Sequence, residues 1–545
     1  MNKITVKING NIASIPRYKT IIEFLEDQKI DYFPRYYAAL VNNELVSLSY
    51  VLQSDTEIKL LDYAHNLGAS VYKRSVSFLL ARALFEMQRN TRLAVNHSMG
   101  NACYYDLFTD APVTDELLSN IESKMHEIVK RNESIKRKTF TVEKSKAFFT
   151  QRAYADKVRL LEHMNKDDKV GIYSCGKFYD LDYGPLVAST GFITHFELKT
   201  YGQGFLLLFP SEQNFPQIAE LQDMPKVFHV FQESKRWGKI LQVNNVGKLN
   251  EFIVKDDYRE LIYISEALHE KKIAEIADNI AEHKNTKLVL IAGPSSSGKT
   301  TFSRWLRIHL RVNGLRPVVL SLDNYYIDRD KSPRNPDGSY NLEGIECLDL
   351  ELFNANVIDL LKGKEVELPK YSFKEGRRKS NGTKLRIFED QLLIVEGIHG
   401  LNEKLTFAVP AEAKYKIFIS ALTQITIDDH NRISTTDSRL IRRIVRDHQF
   451  RAYSAQNTIK AWPSVRRGEE QYIFPFQEEA DIMFNSALLY ELAVLKPYVI
   501  PLLAEIKHQS DEYSHAKRLM DFLKLFKEIP SDEVPNTSIL KEFIG

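Results

Sequence analysis

Apolar and polar positions alternate through KITVKING, residues 3–10, the period-two pattern of a half-buried strand, and Asn9-Gly10 predicts a turn after it. Helical spacing follows over residues 20–28, then short strands at AALVNN and EIKLLD, so a small β-rich module ends near Asp62. From Tyr63 to about Met224 the pattern is mixed. A helix is predicted near 71–87 and a charged one over 115–130, followed by strands and turns through KFYDLDYGPLVASTGFITHFELKT. Leu261, Ile264, Leu268, Ile273, Ile276 and Ile280 recur at helical spacing and predict one connecting helix over 259–283. KLVLIAG is then a buried-strand pattern that runs straight into a glycine-rich loop. No repeat or low-complexity segment interrupts the chain.

Composition narrows the class. At 545 residues the chain exceeds one typical core, and 43% hydrophobic with 27% charged residues is ordinary for a globular protein. The 74 basic and 72 acidic side chains nearly cancel, so no global field favours nucleic acid or an anionic membrane. Cys103, Cys175 and Cys347 are odd in number and far apart, which argues against a disulfide framework. The first residues lack a signal-peptide core and no run approaches a membrane span, so a cytoplasmic protein without a membrane partner is expected.

The stretch IAGPSSSGKTTF fits G-x-x-x-x-G-K-[ST] without a mismatch. Gly293, Pro294, Ser295, Ser296, Ser297, Gly298, Lys299, Thr300 and Thr301 are the expected nucleotide-binding loop, its glycines letting several N–H groups point inward at phosphate oxygens. Lys299 would reach the β- and γ-phosphates and the Thr300 hydroxyl would coordinate Mg²⁺, so ATP and Mg²⁺ are the expected cofactors. In the next helix Phe302, Trp305, Leu306 and Leu310 share one face. A second strand, RPVVLSL, ends at Asp323, placing a carboxylate beside the phosphates to accept a hydroxyl proton or hold a metal-bound water. A third, QLLIVEGIHG, delivers Glu396 to the same edge, where it would order the hydration of Mg²⁺. Arg439, Arg442, Arg443 and Arg446 recur at i, i+3, i+4 and i+7, a four-guanidinium helix face that predicts a closing lid over a transferring phosphoryl group.

The order of these motifs is familiar. GPSSSGKTT, SLDNYY, YNLEGIECLD, ELPKYSF, IVEGIHGLN, RLIRRIVRD and EEADIMFNS, between about 287 and 503, resemble the uridine kinase and phosphoribulokinase-like branch of P-loop kinases. The resemblance implies a nucleoside 5′-hydroxyl as acceptor and Asp323 as catalytic base with Tyr326 nearby. It also implies Glu343, Tyr371 and Arg443 around the ribose and Arg446 on the phosphates. Two positions depart from the pattern: Gly376 stands where uridine kinases carry a histidine, and Tyr453 where they carry a base-contacting arginine. An altered base preference is therefore expected, with Gly376 leaving room for a purine.

Residues 1–62 resemble the TGS module, the β-grasp domain of threonyl-tRNA synthetases, and 63–224 resemble their editing-type domain through ACYYDL, IESKMHEIVKRN and FYDLDYGPLVASTG. The editing histidines are not maintained. His65 matches the first, but Ala69, Asp182 and Leu186 stand at the other positions, and His97 reads as structural. The front half is expected to be silent for editing, leaving ligand sensing, RNA binding or assembly open. The expected class is a multidomain α/β and α+β chain. It would comprise a β-grasp domain (1–62), an α+β editing-like domain (63–224), a linker with a connecting helix (225–285), a parallel-sheet P-loop NTPase kinase (286–510) and a terminal helix and tail without chemistry (511–545). A nucleoside kinase acting as a homo-oligomer is expected; the alternatives are a nucleotide-gated RNA-binding regulator or a sugar phosphate kinase using Arg377, Arg378 and Lys379.

Overall fold

A computed structural model describes residues 3–545 except 9, 89–90, 213, 335–337, 339, 342, 373–374 and the side chains of 380–381. Asn9 of the expected turn, and Leu342 and Phe373 of two quoted motifs, lie outside the described residues.

The alternating start is strand β1 (Lys3–Ile8), which buries Ile4, Val6 and Ile8 and exposes Lys3, Thr5 and Lys7. It pairs antiparallel with β2 (Asn11–Pro16). Helix α1 (Ile21–Asp27) begins at a capping box: the Thr20 hydroxyl accepts the Glu23 N–H while the Glu23 carboxylate accepts the Thr20 N–H. With β3 (Ala38–Val41), β4 (Glu44–Val46) and β5 (Thr56–Leu61) the strands form one sheet in the order β2-β1-β5-β3-β4, β1 and β5 running parallel. The α+β part follows with α2 (Asn66–Met87), β6 (Arg92–Met99), β7 (Ala102–Phe108) and α3 (Asp115–Arg131). It continues through β8 (Lys136–Thr141), α4 (Val142–Thr150), α5 (Ala155–Glu162), β9 (Lys169–Cys175), β10 (Phe178–Leu181), β11 (Glu197–Tyr201) and β12 (Gly204–Leu208). Its sheets have the orders β11-β12-β7-β6 and β10-β9-β8. The core of the first sheet continues into α2, so the two parts share one apolar cluster.

The expected linker is structured differently. Residues 225–285 hold three helices, α6 (Pro225–Ile240), α7 (Val246–Val254) and α8 (Tyr258–Glu282). In α8, Leu261, Ile273, Ile276 and Ile280 are buried, but Ile264 is exposed and the inner face runs through Ile262, Ser265 and His269 instead.

The last part begins with β13 (Leu288–Ala292), buried at every position, and α9 (Lys299–Val312). Next come β14 (Arg316–Ser321), α10 (Leu350–Leu361), a hairpin of β15 (Val366–Ser372) and β16 (Arg377–Leu385), β17 (Gln391–Glu396) and β18 (Lys414–Ser420). It closes with α11 (Thr435–Arg451), α12 (Ala455–Tyr472), β19 (Ile482–Asn485), α13 (Glu491–Ala504), α14 (Tyr513–Leu523) and α15 (Lys541–Ile544). The sheet is fully parallel in the order β14-β17-β13-β18-β19. The chain leaves β13 across β17 to β14, returns to β17, and then passes to β18 on β13's other side. That reversal of direction marks the crevice where such sheets bind ligands.

The front half is locked to this sheet. Lys157 of α5 is fully buried, with its Nζ 2.8 Å from Asp180, 3.0 Å from Asp428 and 3.8 Å from Asp156. His430 lies 2.8 Å from Asp180, and the Tyr183 hydroxyl donates to Asp428 at 2.9 Å. Arg92 forks onto Asp429 at 2.6 and 2.7 Å. The aspartates give the buried ammonium the ionic partners that a buried charge requires, and the histidine adds a partner for Asp180.

Candidate active site

Register brings the expected acidic residues to one edge. Glu396 ends β17 opposite Ile291 of β13 on one side and Ser321 of β14 on the other. The loop at 293–298, the turn carrying Asp323 and the Glu396 carboxylate therefore emerge side by side. Gly293 has no room for a side chain, since a Cβ there would lie 2.3 Å from the Ile419 carbonyl oxygen. Gly298 adopts φ +83°, a left-handed geometry that favours glycine. It caps α9 without a side-chain bond, and the first intrahelical bond runs from Phe302 N–H to its carbonyl. The amides of Lys299, Thr300 and Thr301 thus precede the helix ladder, that of Thr301 donating to the Glu542 carboxylate at 3.2 Å. Phe302, Leu306 and Leu310 anchor α9 in the core, with Trp305 partly buried against it.

Lys299 donates to the carbonyls of Gly293 at 2.8 Å and Pro294 at 3.0 Å, tied back across the loop. Burial lowers its pKa, opposed by Glu542, Glu396 and Glu469. The Thr300 hydroxyl donates to Glu396 at 3.3 Å, bringing the two expected magnesium residues together. Burial raises the Glu396 carboxyl, and its second oxygen is buried without a hydrogen-bond partner, as are the hydroxyl oxygens of Ser296 and Ser297. An orphaned carboxylate oxygen beside a threonine hydroxyl fits a hard cation with oxygen ligands. Among the described residues no group of three or more His, Cys, Asp and Glu is arranged to hold a metal ion, so phosphates and water would complete such a shell.

Asp323 sits in a short turn after β14, its N–H donating to the Ser321 hydroxyl at 3.3 Å. Burial raises its carboxyl while Lys299 of the loop and Arg451 of α11 pull it down. The Tyr326 and Tyr371 rings lie 5.7 Å apart, and burial together with the charges of Asp323 and Glu343 pushes the Tyr326 phenol up. Burial likewise raises Glu343, which feels Arg443, Lys299 and Asp323. Asp323, Tyr326, Glu343 and Tyr371 therefore lie within electrostatic or ring contact of one another. Buried His399, its pKa lowered to about 4 by burial, stands beside Glu343 and was not foreseen from the sequence.

The arginine helix does not present four free guanidiniums. Arg439 and Arg442 of α11 are 1% and 0% exposed. Arg439 forks onto Glu469 and donates to the Ser295 carbonyl at 3.2 Å. Arg442 pairs with Glu491 and reaches the Ser486 hydroxyl at 3.1 Å and the Ser296 carbonyl at 3.4 Å. These two brace the loop from behind, because the hydrophobic face of α11 is the face they share. Arg443 donates to the Ser295 hydroxyl at 2.8 Å, and Arg446 holds Asp447 at 2.8 Å; both are half-buried beside the loop. Glu469 also accepts the Ser295 N–H at 3.1 Å. Nothing in the spacing of α11 distinguished the bracing pair from the cleft pair; their carboxylate partners lie 30 and 49 residues away.

Residues 288–491 match the model of the "Phosphoribulokinase / Uridine kinase family". The threonine–tRNA ligase of Clostridium kluyveri is 29% identical over 191 residues, 35% of this chain and 30% of the ligase. That of Acetivibrio thermocellus is 31% identical over 200 residues, 37% of this chain and 31% of the ligase. Of the stretches outside 288–491, only the one before it is long enough to hold such a match. The chain joins a P-loop kinase-like domain to a threonyl-tRNA-synthetase-like region. It spans under a third of the length of these ligases. Among solved structures, a putative fructose transport system kinase from Silicibacter sp. is 18% identical, covering 39% of this chain and 98% of its own, with a TM-score of 0.29. A possible uridine kinase from Bacillus stearothermophilus is 18% identical, covering 37% and 89%, with a TM-score of 0.23.

Three further expectations change around the kinase-like domain. Gly376 leaves no vacancy: it adopts φ +68°, and the Arg329 side chain lies 3.1 Å from where its Cβ would be. Arg378 is not held ready for a phosphorylated sugar, because it pairs with Asp349 at 2.9 Å and donates to the carbonyls of Tyr325 and Tyr326. Segment 511–545, expected to be a helix and tail, touches the phosphate loop, since Glu542 accepts bonds from Thr301. In the synthetase-like region His65 caps α2, its Nδ1 accepting the Leu67 N–H at 3.2 Å, while Asp182 pairs with Arg137. His97 packs edge-on to Phe231 and burial drives its pKa well down, a packing role. No described helix is long and apolar enough to cross a membrane.

Proposed function

We propose that the kinase-like domain transfers the terminal phosphoryl group of ATP to the 5′-hydroxyl of a nucleoside. The observation that carries this reading is the gathering of Asp323, Tyr326, Glu343 and Tyr371 within electrostatic reach of one another and, for the two carboxylates, of Lys299 in the phosphate loop. A nucleotide switch has no use for two carboxylates and two phenols beside its phosphates; an acceptor alcohol does.

In this reading the loop amides and Lys299 hold the phosphates, and Arg443 and Arg446 neutralise charge on the transferring group. Asp323 takes the proton from the acceptor oxygen, and Glu343 and Tyr371 orient its sugar. Thr300 and Glu396 would hold Mg²⁺, which supplies charge neutralisation when bound. Phosphoryl transfer depends chiefly on such positioning and electrostatics. The engagement of Arg378 with Asp349, and of Lys379 with Glu375, favours a neutral acceptor over a phosphorylated sugar. Base preference differs from that of a uridine kinase, since Gly376 and Tyr453 replace the two base-side positions and Arg329 fills the space at Gly376.

Incubation of the full chain with ATP, Mg²⁺ and a panel of purine and pyrimidine nucleosides, with mass detection of monophosphates, tests the reading. At least one nucleoside monophosphate is expected. Strict uridine use overturns the altered preference. Absence of any product, with a salt-sensitive tRNA affinity instead, overturns the kinase in favour of an RNA-binding regulator.

A further inference from the structure

The segment that the sequence left without a role reaches back into the phosphate loop. Glu542 of α15 accepts the Thr301 N–H at 3.2 Å and the Thr301 hydroxyl at 3.1 Å. That amide is the last of the three that precede the ladder of α9, so the carboxylate sits among the groups a phosphate needs. Two more contacts fix the segment there. A methyl of Ile539 lies 2.7 Å from where a Cβ of Gly298 would stand, closing over the loop, and the Arg442 guanidinium lies 5.1 Å from the Phe543 ring centroid. Ile539, Leu540 and Phe543 are buried in the core cluster that also holds β13 and α9. Beside the contact, Thr301, Trp305, Phe450, Ser538 and Glu542 border a cavity of about 270 Å³.

A carboxylate and a phosphate oxygen cannot share one N–H donor, and two anions at that distance repel each other. We propose that residues 536–545 form an autoinhibitory plug of the nucleotide site, with Glu542 standing in for a phosphate of the bound nucleotide until nucleotide displaces it. The inference rests on the reading of 293–301 as a nucleotide loop and adds that nucleotide affinity is set by a competing acid of the same chain. The apolar anchors explain why the plug remains seated without a ligand. The carboxylate's two hydrogen bonds, both from Thr301, explain how a polyphosphate, with more negative charge and more acceptors, can win.

The test compares the full chain with Glu542→Ala and Glu542→Gln by calorimetric titration with ATP and Mg²⁺, and separately with inorganic tripolyphosphate. A charge-assisted contact of this kind predicts binding about tenfold tighter in Glu542→Ala for both ligands, and an intermediate gain in Glu542→Gln. Hydrogen exchange across 538–545 of the unsubstituted chain is expected to accelerate when ATP is added. Unchanged affinities in both variants, with a lower melting temperature, reduce Glu542 to a helix cap and overturn the plug while leaving the nucleotide site intact. Protection of 538–545 by ATP overturns it as well. Binding by none of the three proteins overturns the nucleotide loop and the plug together.

Discussion

The Thr300 hydroxyl donates to Glu396 at 3.3 Å, joining the first turn of the phosphate-loop helix to the end of the strand beside it. Without a cation the two groups satisfy each other only in part, because the second Glu396 oxygen is buried and unpartnered. Glu396→Gln keeps the shape and removes the charge. The magnesium concentration for half-maximal turnover is expected to rise by about tenfold or more, on the scale of an outer-shell metal residue. A magnesium titration at saturating ATP checks this, and an unchanged half-point removes Glu396 from the metal site.

Asp323 carries a second expectation. As the base in transfer, its replacement by Ala should lower turnover at least about a hundredfold. Burial raises its carboxyl above the ordinary value, so activity should fall as pH drops through a point higher than that of a free aspartate. The stability linkage has the opposite sign. A carboxyl raised on folding binds more protons in the native state, so its contribution is full below the unfolded pKa and is lost as pH rises through the folded one. Asp323→Asn should therefore abolish transfer without lowering the melting temperature at neutral pH. A melting temperature well below that of the unsubstituted chain contradicts the assignment.

Arg439 and Arg443 are separated by one helical turn and by function. Arg439 is buried on Glu469, and truncating it to Ala removes a buried fork and leaves that carboxylate only Arg466 at 3.0 Å and the Ser295 N–H, with an expected loss of about 3 kcal/mol in urea unfolding. Arg443 is half-buried against the Ser295 hydroxyl, and its truncation should spare stability while lowering turnover by about a hundredfold or more. The two variants measured side by side give opposite patterns. Equal effects on both readouts contradict the division between bracing and cleft arginines.

What the chain displays in sequence depends on how far apart the partners lie. The phosphate loop is legible because Gly293 and Gly298 answer to backbone geometry, and β1 because its period is two. The buried acids around the site are not. Glu469 meets Arg439 from the next helix and Glu542 meets Thr301 across 241 residues, contacts that no local period encodes. Helical spacing placed four arginines on one face of α11 without telling whether that face meets protein or solvent. The same ambiguity put Ile264 on the wrong side of α8, where three apolar neighbours in Ile262, Tyr263 and Ile264 allow two stripes and packing chooses one. Gly376 was legible as a missing side chain, yet the space belongs to Arg329, 47 residues earlier in sequence.

The clasp between the two halves gives the last expectation. His430 faces Asp180, Asp428 and Lys157, with Asp156 also around the ammonium. Burial lowers its pKa and Lys157 does too, but Asp180 prevails and the imidazole is raised above its ordinary value. A histidine raised on folding contributes stability that is fully present below the unfolded value, about 6.5, and is lost as pH rises through the folded one. The difference in urea midpoint between the unsubstituted chain and His430→Gln should therefore be largest near pH 6 and shrink steadily toward pH 9. Lys157→Met, which leaves Asp180 and Asp428 buried without their ammonium, should cost about 3–5 kcal/mol. Its unfolding should begin at the seam, with early hydrogen exchange in 428–432 and 178–183. A pH-independent difference for His430→Gln means the ring stays neutral and serves only as packing, with Lys157 alone carrying the charge of the seam.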